Sequence, residues 1–146
     1  MNVDPQTTYF IDTNLLVYAY DRTAGQKQEL AARLLEACWE NENGCLSLQV
    51  LQEFYVTLTR KLAVPLEQQV ARQLVADLAQ WRLHTPQAND LLQAIDFQQV
   101  YQIAFWDALV LQSATSLGCR YLLSEDFNHR QLYGTVQVIN PFKESA

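Results

Sequence analysis

The hydrophobic pattern of the chain alternates between short runs of β-favouring residues and longer stretches with helical spacing. In one such stretch, Leu51, Tyr55, Leu58 and Leu62 recur every three or four residues, as on one face of a helix. The short runs predict strands at 9–12, 45–48, 81–85, 120–124 and 136–139. The helical spacing predicts helices at 15–20, 26–43, 49–62, 65–80, 87–102 and 104–117, with Gly44 ending the second.

Strands that alternate with helices indicate an α/β fold with a mostly parallel sheet and helices on both faces. The 146 residues are long enough for one sizeable core, so we expect a single domain over 1–146. Because right-handed crossovers bring the carboxyl ends of parallel strands to one edge, ligands are expected at that edge.

Composition favours a cytoplasmic protein that does not enter a membrane. Charged residues interrupt the apolar runs, and residues 1–8 lack the basic-then-apolar pattern of a signal peptide. The odd set Cys38, Cys45 and Cys119 has no CxxC spacing, which indicates buried thiols and neither disulfides nor a zinc site.

Acidic residues follow predicted strands at three places. Asp12 ends the apolar run Tyr9-Phe10-Ile11, and a carboxylate there is suited to chemistry or to capping the next helix. Asp126 follows Leu122-Leu123, where it could also be a turn or cap acid, and Glu125 beside it is an alternative. Glu53 lies about one turn into the helix after the second strand, on the polar side of its wheel, where an exposed glutamate is ordinary.

Asp107 is the most informative acid in the sequence. The helical wheel places it among Ile103, Val110, Leu111 and Ala114, on the apolar face. A buried carboxylate needs a cation, a metal ion or hydrogen-bond donors; the alternative is that Asp107 caps a helix starting at Ala108.

Four carboxylates that converge at one edge repel one another unless cations lie among them. A site rich in oxygen and poor in histidine favours Mg²⁺ or Mn²⁺ over zinc. These ions act on phosphate oxygens, so the pattern points to metal-assisted hydrolysis of phosphodiester bonds.

The chain resembles the PIN-domain ribonucleases, in particular the VapC-like toxins of bacterial toxin–antitoxin pairs. The resemblance runs from about 9 to 139 and rests on four short motifs in family order. They are Phe10-Ile11-Asp12-Thr13-Asn14, Gln52-Glu53-Phe54, Trp106-Asp107-Ala108 and Leu123-Ser124-Glu125-Asp126-Phe127.

This resemblance implies a five-stranded, three-layer α/β/α sandwich and an endoribonuclease that depends on one or two Mg²⁺ or Mn²⁺ ions. Its metal ligands and catalytic acids would be Asp12, Glu53, Asp107 and Asp126. Ser124 stands where the family usually has threonine, and Glu125 leaves the fourth ligand open. Thr13 and Asn14 would orient ligands or water, or cap the helix locally.

The resemblance also implies an RNA substrate, a homodimer, and a small antitoxin protein that lays a segment across the acidic cleft. We expect a dimer interface on helices 49–62 and 65–80, which carry apolar and aromatic residues. The net charge is −6, and the sequence shows no stripe of basic residues that would bind RNA. The candidate RNA contacts are Arg22, Lys27, Arg60 and Lys61.

Two other functions are compatible with acids at strand ends. Phosphoaspartate phosphatases need a second aspartate where Asn14 stands, and receiver domains need a late-strand lysine, whereas Lys143 lies beyond the last strand. A catalytically inactive PIN-like binding module would keep the fold without a metal, and metal-dependent quenching of tryptophan fluorescence would distinguish it. A nucleotide-binding enzyme is disfavoured because the chain has no glycine-rich phosphate loop.

Overall fold

A six-stranded sheet forms the middle layer of the protein, whose computed structural model describes residues 1–144. The strand order is β3-β2-β1-β4-β6-β5, and all neighbours are parallel except β5 and β6. The strands are β1 (Tyr9–Ile11), β2 (Gly44–Ser47), β3 (Arg82–His84), β4 (Tyr121–Leu123), β5 (Leu132–Tyr133) and β6 (Val136–Ile139).

Six α-helices cover the two faces of this sheet. They are α1 (Thr13–Tyr20), α2 (Gln26–Asn41), α3 (Leu48–Val56), α4 (Gln68–Leu78), α5 (Ala88–Tyr101) and α6 (Phe105–Ser116). Helices α1 to α4 pack on one another, and α5 packs on α6. Because crossovers are right-handed and the strand order reverses between β1 and β4, the two groups lie on opposite faces. The predicted three-layer α/β/α sandwich is confirmed, with six strands in place of five.

The direction of the strand order reverses between β1 and β4, and this switch point fixes the functional edge. Ile11 is in register with Leu123, and the Asp12 backbone nitrogen donates to the Leu123 carbonyl oxygen at 3.0 Å. The residues that follow these two strands, Asp12 and Ser124, therefore lie side by side where open α/β sheets bind ligands.

Several predicted boundaries are wrong. The second helix ends at Asn41, and Glu42 takes the left-handed conformation (φ 52°), so Gly44 does not end the helix but begins β2. The predicted helix 49–62 is α-helical to Val56 and continues as a π-helix over Thr57–Lys61. The helix predicted from Pro65 begins at Gln68. Its Val70 is 49% exposed.

The core lies on both faces of the central strands. Phe10, Leu16, Leu46, Phe54 and Leu122 are fully buried in one hydrophobic cluster. The three cysteines are buried and free, as predicted. Within residues 1–144, no helix has the length and apolar character needed to span a bilayer.

A polar network fixes α6 against the end of β3. His84 Nδ1 lies 2.8 Å from Ser113 Oγ of α6, and His84 Nε2 lies 3.4 Å from Asp90 of α5. Gln112, fully buried on α6, donates to the same Asp90 at 3.0 Å. The network joins β3, α5 and α6, so it helps to position the helix that carries Asp107.

Candidate active site

Asp12 lies at the centre of the functional edge, immediately after β1. Its side chain is almost fully buried, with 5% exposed. Oδ1 accepts from the Thr13 backbone nitrogen at 2.7 Å, and Oδ2 accepts from Ser124 Oγ at 2.7 Å. Asp12 is also the N-cap residue of α1. The capping and site interpretations are therefore compatible, because one carboxylate can hold both contacts.

Ser124 connects Asp12 to the loop that follows β4. The Asp126 backbone nitrogen donates to Ser124 Oγ at 3.1 Å, and that hydroxyl donates to Asp12. Asn14 Nδ2 donates to Asp126 Oδ2 at 3.1 Å. The exposed carboxylate of Asp126 is thus held by Asn14 of α1, while its backbone nitrogen is held by Ser124.

Asp107 lies in the first turn of α6 and is half-buried. The helix begins at Phe105 after Ala104, so Asp107 does not cap a helix that starts at Ala108, and that alternative is wrong. Burial raises the pKa of Asp107, and the nearby charges of Asp126 and Glu53 raise it further. The carboxylates of α6, α3 and the β4 loop therefore interact electrostatically.

Glu53 is an exposed member of the cluster. It lies in the second turn of α3, where its polar-face position leaves it open to solvent. Gln49 Nε2 donates to Glu53 Oε1 at 2.8 Å and lies 3.5 Å from the Trp106 carbonyl oxygen. Gln49 thereby joins α3 to the start of α6, beside Asp107.

This arrangement disfavours the ionised form of Asp12. Burial raises its pKa to about 7, although the hydrogen bonds from Ser124 and Thr13 act in the opposite direction. The charges of Asp126 and Asp107 add to the increase. An aspartate with this pKa carries a proton for much of its time at neutral pH unless a cation takes the proton's place.

A divalent cation fits the donors present at this edge. All four acids offer oxygen, the ligand that Mg²⁺ and Mn²⁺ prefer. Thr13 Oγ1 and Asn14 Oδ1 are buried polar atoms with no hydrogen-bond partner among the described residues. Over the same residues, no three acidic, histidine or cysteine side chains form a ready-made metal-binding group. Three of the four carboxylates are instead held by donors of the protein: Asp12 by Ser124, Asp126 by Asn14 and Glu53 by Gln49.

Glu125 points away from this cluster. Its carboxylate accepts from the Tyr18 hydroxyl and lies 3.0 Å from Lys27 Nζ. Lys27, a candidate RNA contact in the sequence, is therefore engaged in an ion pair within the protein. The sequence pattern could not show this pair, because 98 residues separate its members.

The remaining cationic candidates lie on the surface. Arg22 is exposed after α1, and Arg60 and Lys61 are exposed at the end of the π-helical turn. Lys61 and Glu53 line the same shallow groove of about 260 Å³, along with Gln52, Val56 and Thr57. This groove places a lysine near the acidic edge.

A known protein family matches most of the chain. A sequence model described as the PIN domain matches residues 9–134. A search of curated protein sequences found no match.

Solved structures with a similar fold include three that align with most of this chain. A toxin–antitoxin complex from Klebsiella pneumoniae aligns with TM-score 0.67 and 20% identity, covering 92% of this chain and 98% of the other. VapC20 of Mycobacterium tuberculosis, described as a toxin that cleaves the sarcin–ricin loop, gives 0.62 and 18%, covering 83% and 92%. FitAcB from Neisseria gonorrhoeae gives 0.60 and 16%, covering 94% and 100%. At these identities the likeness shows the fold alone.

Proposed function

The chain belongs to the PIN domain family, whose model matches residues 9–134, and from that membership we propose that it is a metal-dependent endoribonuclease. The observation that carries the proposal is the buried Asp12 at the switch point of the sheet. Burial raises its pKa to about 7, and the charges of Asp126 and Asp107 add to the increase, so a divalent cation would stabilise its charged form.

Asp12, Glu53, Asp107 and Asp126 would hold one or two Mg²⁺ or Mn²⁺ ions in this proposal. When bound, such ions neutralise phosphate oxygens and make water a competent nucleophile near neutral pH. The chain itself supplies position and charge. Ser124 orients Asp12, Asn14 orients Asp126, and Gln49 orients Glu53. Their contacts fix these three carboxylates before substrate arrives. The attacking group would be water, so the chain need not supply a nucleophile.

RNA is the proposed substrate, and the protein would act as the toxin of a toxin–antitoxin pair. Two of the similar structures are a toxin–antitoxin complex and an RNA-cleaving toxin, which supports this role. Arg22, Arg60 and Lys61 are the proposed phosphate contacts. Lys61 has the strongest support, because it shares a groove with Glu53.

A small antitoxin and a second copy of this chain are the proposed protein partners. Val56, Val64 and Val70 are each more than 40% exposed on or between α3 and α4, which supports a dimer interface there. Light scattering of the purified protein should give the mass of two chains. The mass of one chain would contradict the homodimer. Co-expression with the reading frame immediately upstream should yield a co-purifying complex, and its absence would contradict the antitoxin role.

Cleavage of a panel of structured RNAs with Mg²⁺ or Mn²⁺ tests the proposed activity. We expect Asp12→Asn and Asp107→Asn to abolish cleavage while circular dichroism shows a native fold, because asparagine keeps the size and loses the charge. A chelator should abolish wild-type cleavage. Glu40→Gln, an exposed site on α2, is the matched control and should cleave normally. Cleavage by Asp107→Asn at the wild-type rate would refute the assignment.

A further inference from the structure

Four side chains from distant parts of the chain meet beside the acidic edge and form what we call the Lys27 clamp: Tyr18, Lys27, Glu125 and Phe142. Lys27 Nζ lies 3.0 Å from Glu125 Oε2 and 3.5 Å from the Tyr18 hydroxyl. The same ammonium lies 4.9 Å from the centre of the Tyr18 ring and 5.0 Å from that of Phe142. The two rings meet edge to face at 5.4 Å.

The clamp accounts for both oxygens of the Glu125 carboxylate. Oε1 accepts from the Tyr18 hydroxyl, and Oε2 is the partner of Lys27. The Glu125 side chain is 23% exposed, so its contacts are partly shielded from water. A carboxylate that is partly shielded from water is held in place by charge-assisted hydrogen bonds from a cation and a hydroxyl.

Glu125 and Asp126 are neighbours in the chain, yet their carboxylates are held by different groups. Asp126 is oriented by Asn14, which lies in α1 two residues after Asp12. Glu125 is oriented by Tyr18 and by Lys27 near the start of α2. Two adjacent acids at a strand end could otherwise compete for one cation, because either can supply oxygen ligands.

We propose that Tyr18 and Lys27 are positioning residues that hold Glu125 outside the metal site, so that Asp126 is the only acid of this loop that binds metal. This inference rests on the proposed function and assigns Lys27 a role within the protein and not on RNA. Without Lys27, the Glu125 carboxylate keeps only the Tyr18 hydroxyl as a partner and is freer to turn toward the site. It can then join the metal as an extra ligand and misplace it relative to the phosphate.

Mn²⁺ calorimetry and RNA cleavage on the same variants test the proposal. Glu125→Gln should bind Mn²⁺ within about twofold of wild type, whereas Asp126→Asn should bind at least about tenfold more weakly. Lys27→Met should bind Mn²⁺ at least as tightly as wild type while its kcat falls about tenfold, because the less constrained Glu125 adds a ligand in the wrong place.

The double variant Lys27→Met/Glu125→Gln decides between positioning and simple damage to the fold. It removes the competing charge along with the lysine, so Mn²⁺ affinity and kcat should both return to the wild-type values. Its thermal stability should stay below wild type, because the ion pair and the cation–π contacts are lost. Arg33→Met, at an exposed site on α2, is the control for removal of a cation outside the clamp, and its Mn²⁺ affinity and kcat should match wild type.

Three results would overturn the clamp proposal: equal losses of Mn²⁺ affinity in Glu125→Gln and Asp126→Asn, an unchanged kcat in Lys27→Met, or no recovery in the double variant. Failure of the proposed function has a different signature. A wild type that binds Mn²⁺ but cleaves no RNA contradicts the ribonuclease, while the Mn²⁺ titrations still decide which acid binds. A wild type that binds no Mn²⁺ overturns both proposals.

Discussion

Asp12 serves the fold and the candidate site with the same carboxylate. It caps α1 through the Thr13 backbone nitrogen, and it receives the Ser124 hydroxyl from the neighbouring strand end. These two donors stabilise its charged form, yet burial outweighs them and the pKa rises to about 7. The site is therefore electrostatically costly in the absence of a cation, and that cost is measurable as stability.

The stability of the metal-free protein should fall as pH rises from about 4 to about 7. The folded chain keeps a proton on Asp12 until about pH 7. The unfolded chain releases that proton near its ordinary pKa of about 3.9. The contribution is fully present below the unfolded pKa and lost as pH rises through the folded pKa. It amounts to at most about 4 kcal/mol for a shift of this size.

Urea unfolding in the presence of a chelator, at several pH values, measures this contribution. Asp12→Asn cannot titrate, so the difference between wild type and this variant isolates Asp12 from the other acids. The difference in the free energy of unfolding should change steadily from about pH 4 to about pH 7 and be constant above about pH 8. A wild type and a variant with parallel stability curves would contradict the raised pKa.

At the same scale, the sequence predicted four candidate acids but not how each is held. The helical wheel singled out Asp107 because an acid on an apolar face needs an explanation. It could not identify Ser124 as the donor to Asp12, or Gln49 as the donor to Glu53. Those contacts depend on how β1, β4, α3 and α6 are placed in three dimensions. Tyr18 and Phe142 carried no sequence signal at all, since aromatic residues are ordinary core residues.

At the scale of elements, the predicted strands and helices are present because their periodicity is strong. The errors lie where tertiary contacts override local rules. Strand β5 has only two residues and is defined by its antiparallel pairing with β6, which no local pattern specifies. Gly44 follows a helix and looks like its end, but Glu42 already adopts the left-handed turn. The reason for glycine at 44 lies elsewhere in the fold.

Gly44 is required by the close approach of Trp81. A Cβ atom at this position would lie 2.2 Å and 2.5 Å from two carbons of the Trp81 ring, which is too close for any unshifted contact. The ring also packs against Trp39, with ring centres 5.7 Å apart, so a shift of the ring disturbs that contact. We expect Gly44→Ala to lower the free energy of unfolding by about 1–3 kcal/mol, as overpacking does.

Chemical denaturation of a double-mutant cycle tests the cause. Trp81→Leu removes the ring, so Gly44→Ala should cost clearly less in that background than in wild type. Trp81→Leu alone provides the reference for the lost packing. Equal costs of Gly44→Ala in both backgrounds would show that the ring is not the reason for glycine.

At the scale of the whole molecule, the acidic edge contributes to the net charge of −6. Four of the acids converge at one end of the sheet, and two divalent ions would offset their charge. The alternation of strands and helices in the sequence predicted the fold class. The position of the switch point required the strand order, which only the structure provides. Part of the acidity that argues against RNA binding from composition alone is therefore local, and in the proposed function a cation would reverse its effect at that edge.

Divalent cations should stabilise the whole domain, because the acidic edge exists only in the folded chain. At a concentration of about 100 times the dissociation constant, a single ion adds about 2.7 kcal/mol to the free energy of unfolding. We expect Mn²⁺ to raise the Tm of the wild type by several degrees, and a chelator to reverse the change. The effect should grow with the logarithm of the Mn²⁺ concentration once the site is saturated.

The control for this measurement is a variant with the same change in net charge and an intact edge. Glu40→Gln removes one exposed negative charge from α2 and should keep the full Mn²⁺ effect, whereas Asp12→Asn and Asp107→Asn should lose most of it. Non-specific binding to an acidic protein would stabilise all three variants alike. An equal shift in all of them would therefore contradict a site at the end of β1, and a shift confined to proteins with an intact edge would locate the cation at the switch point of the sheet.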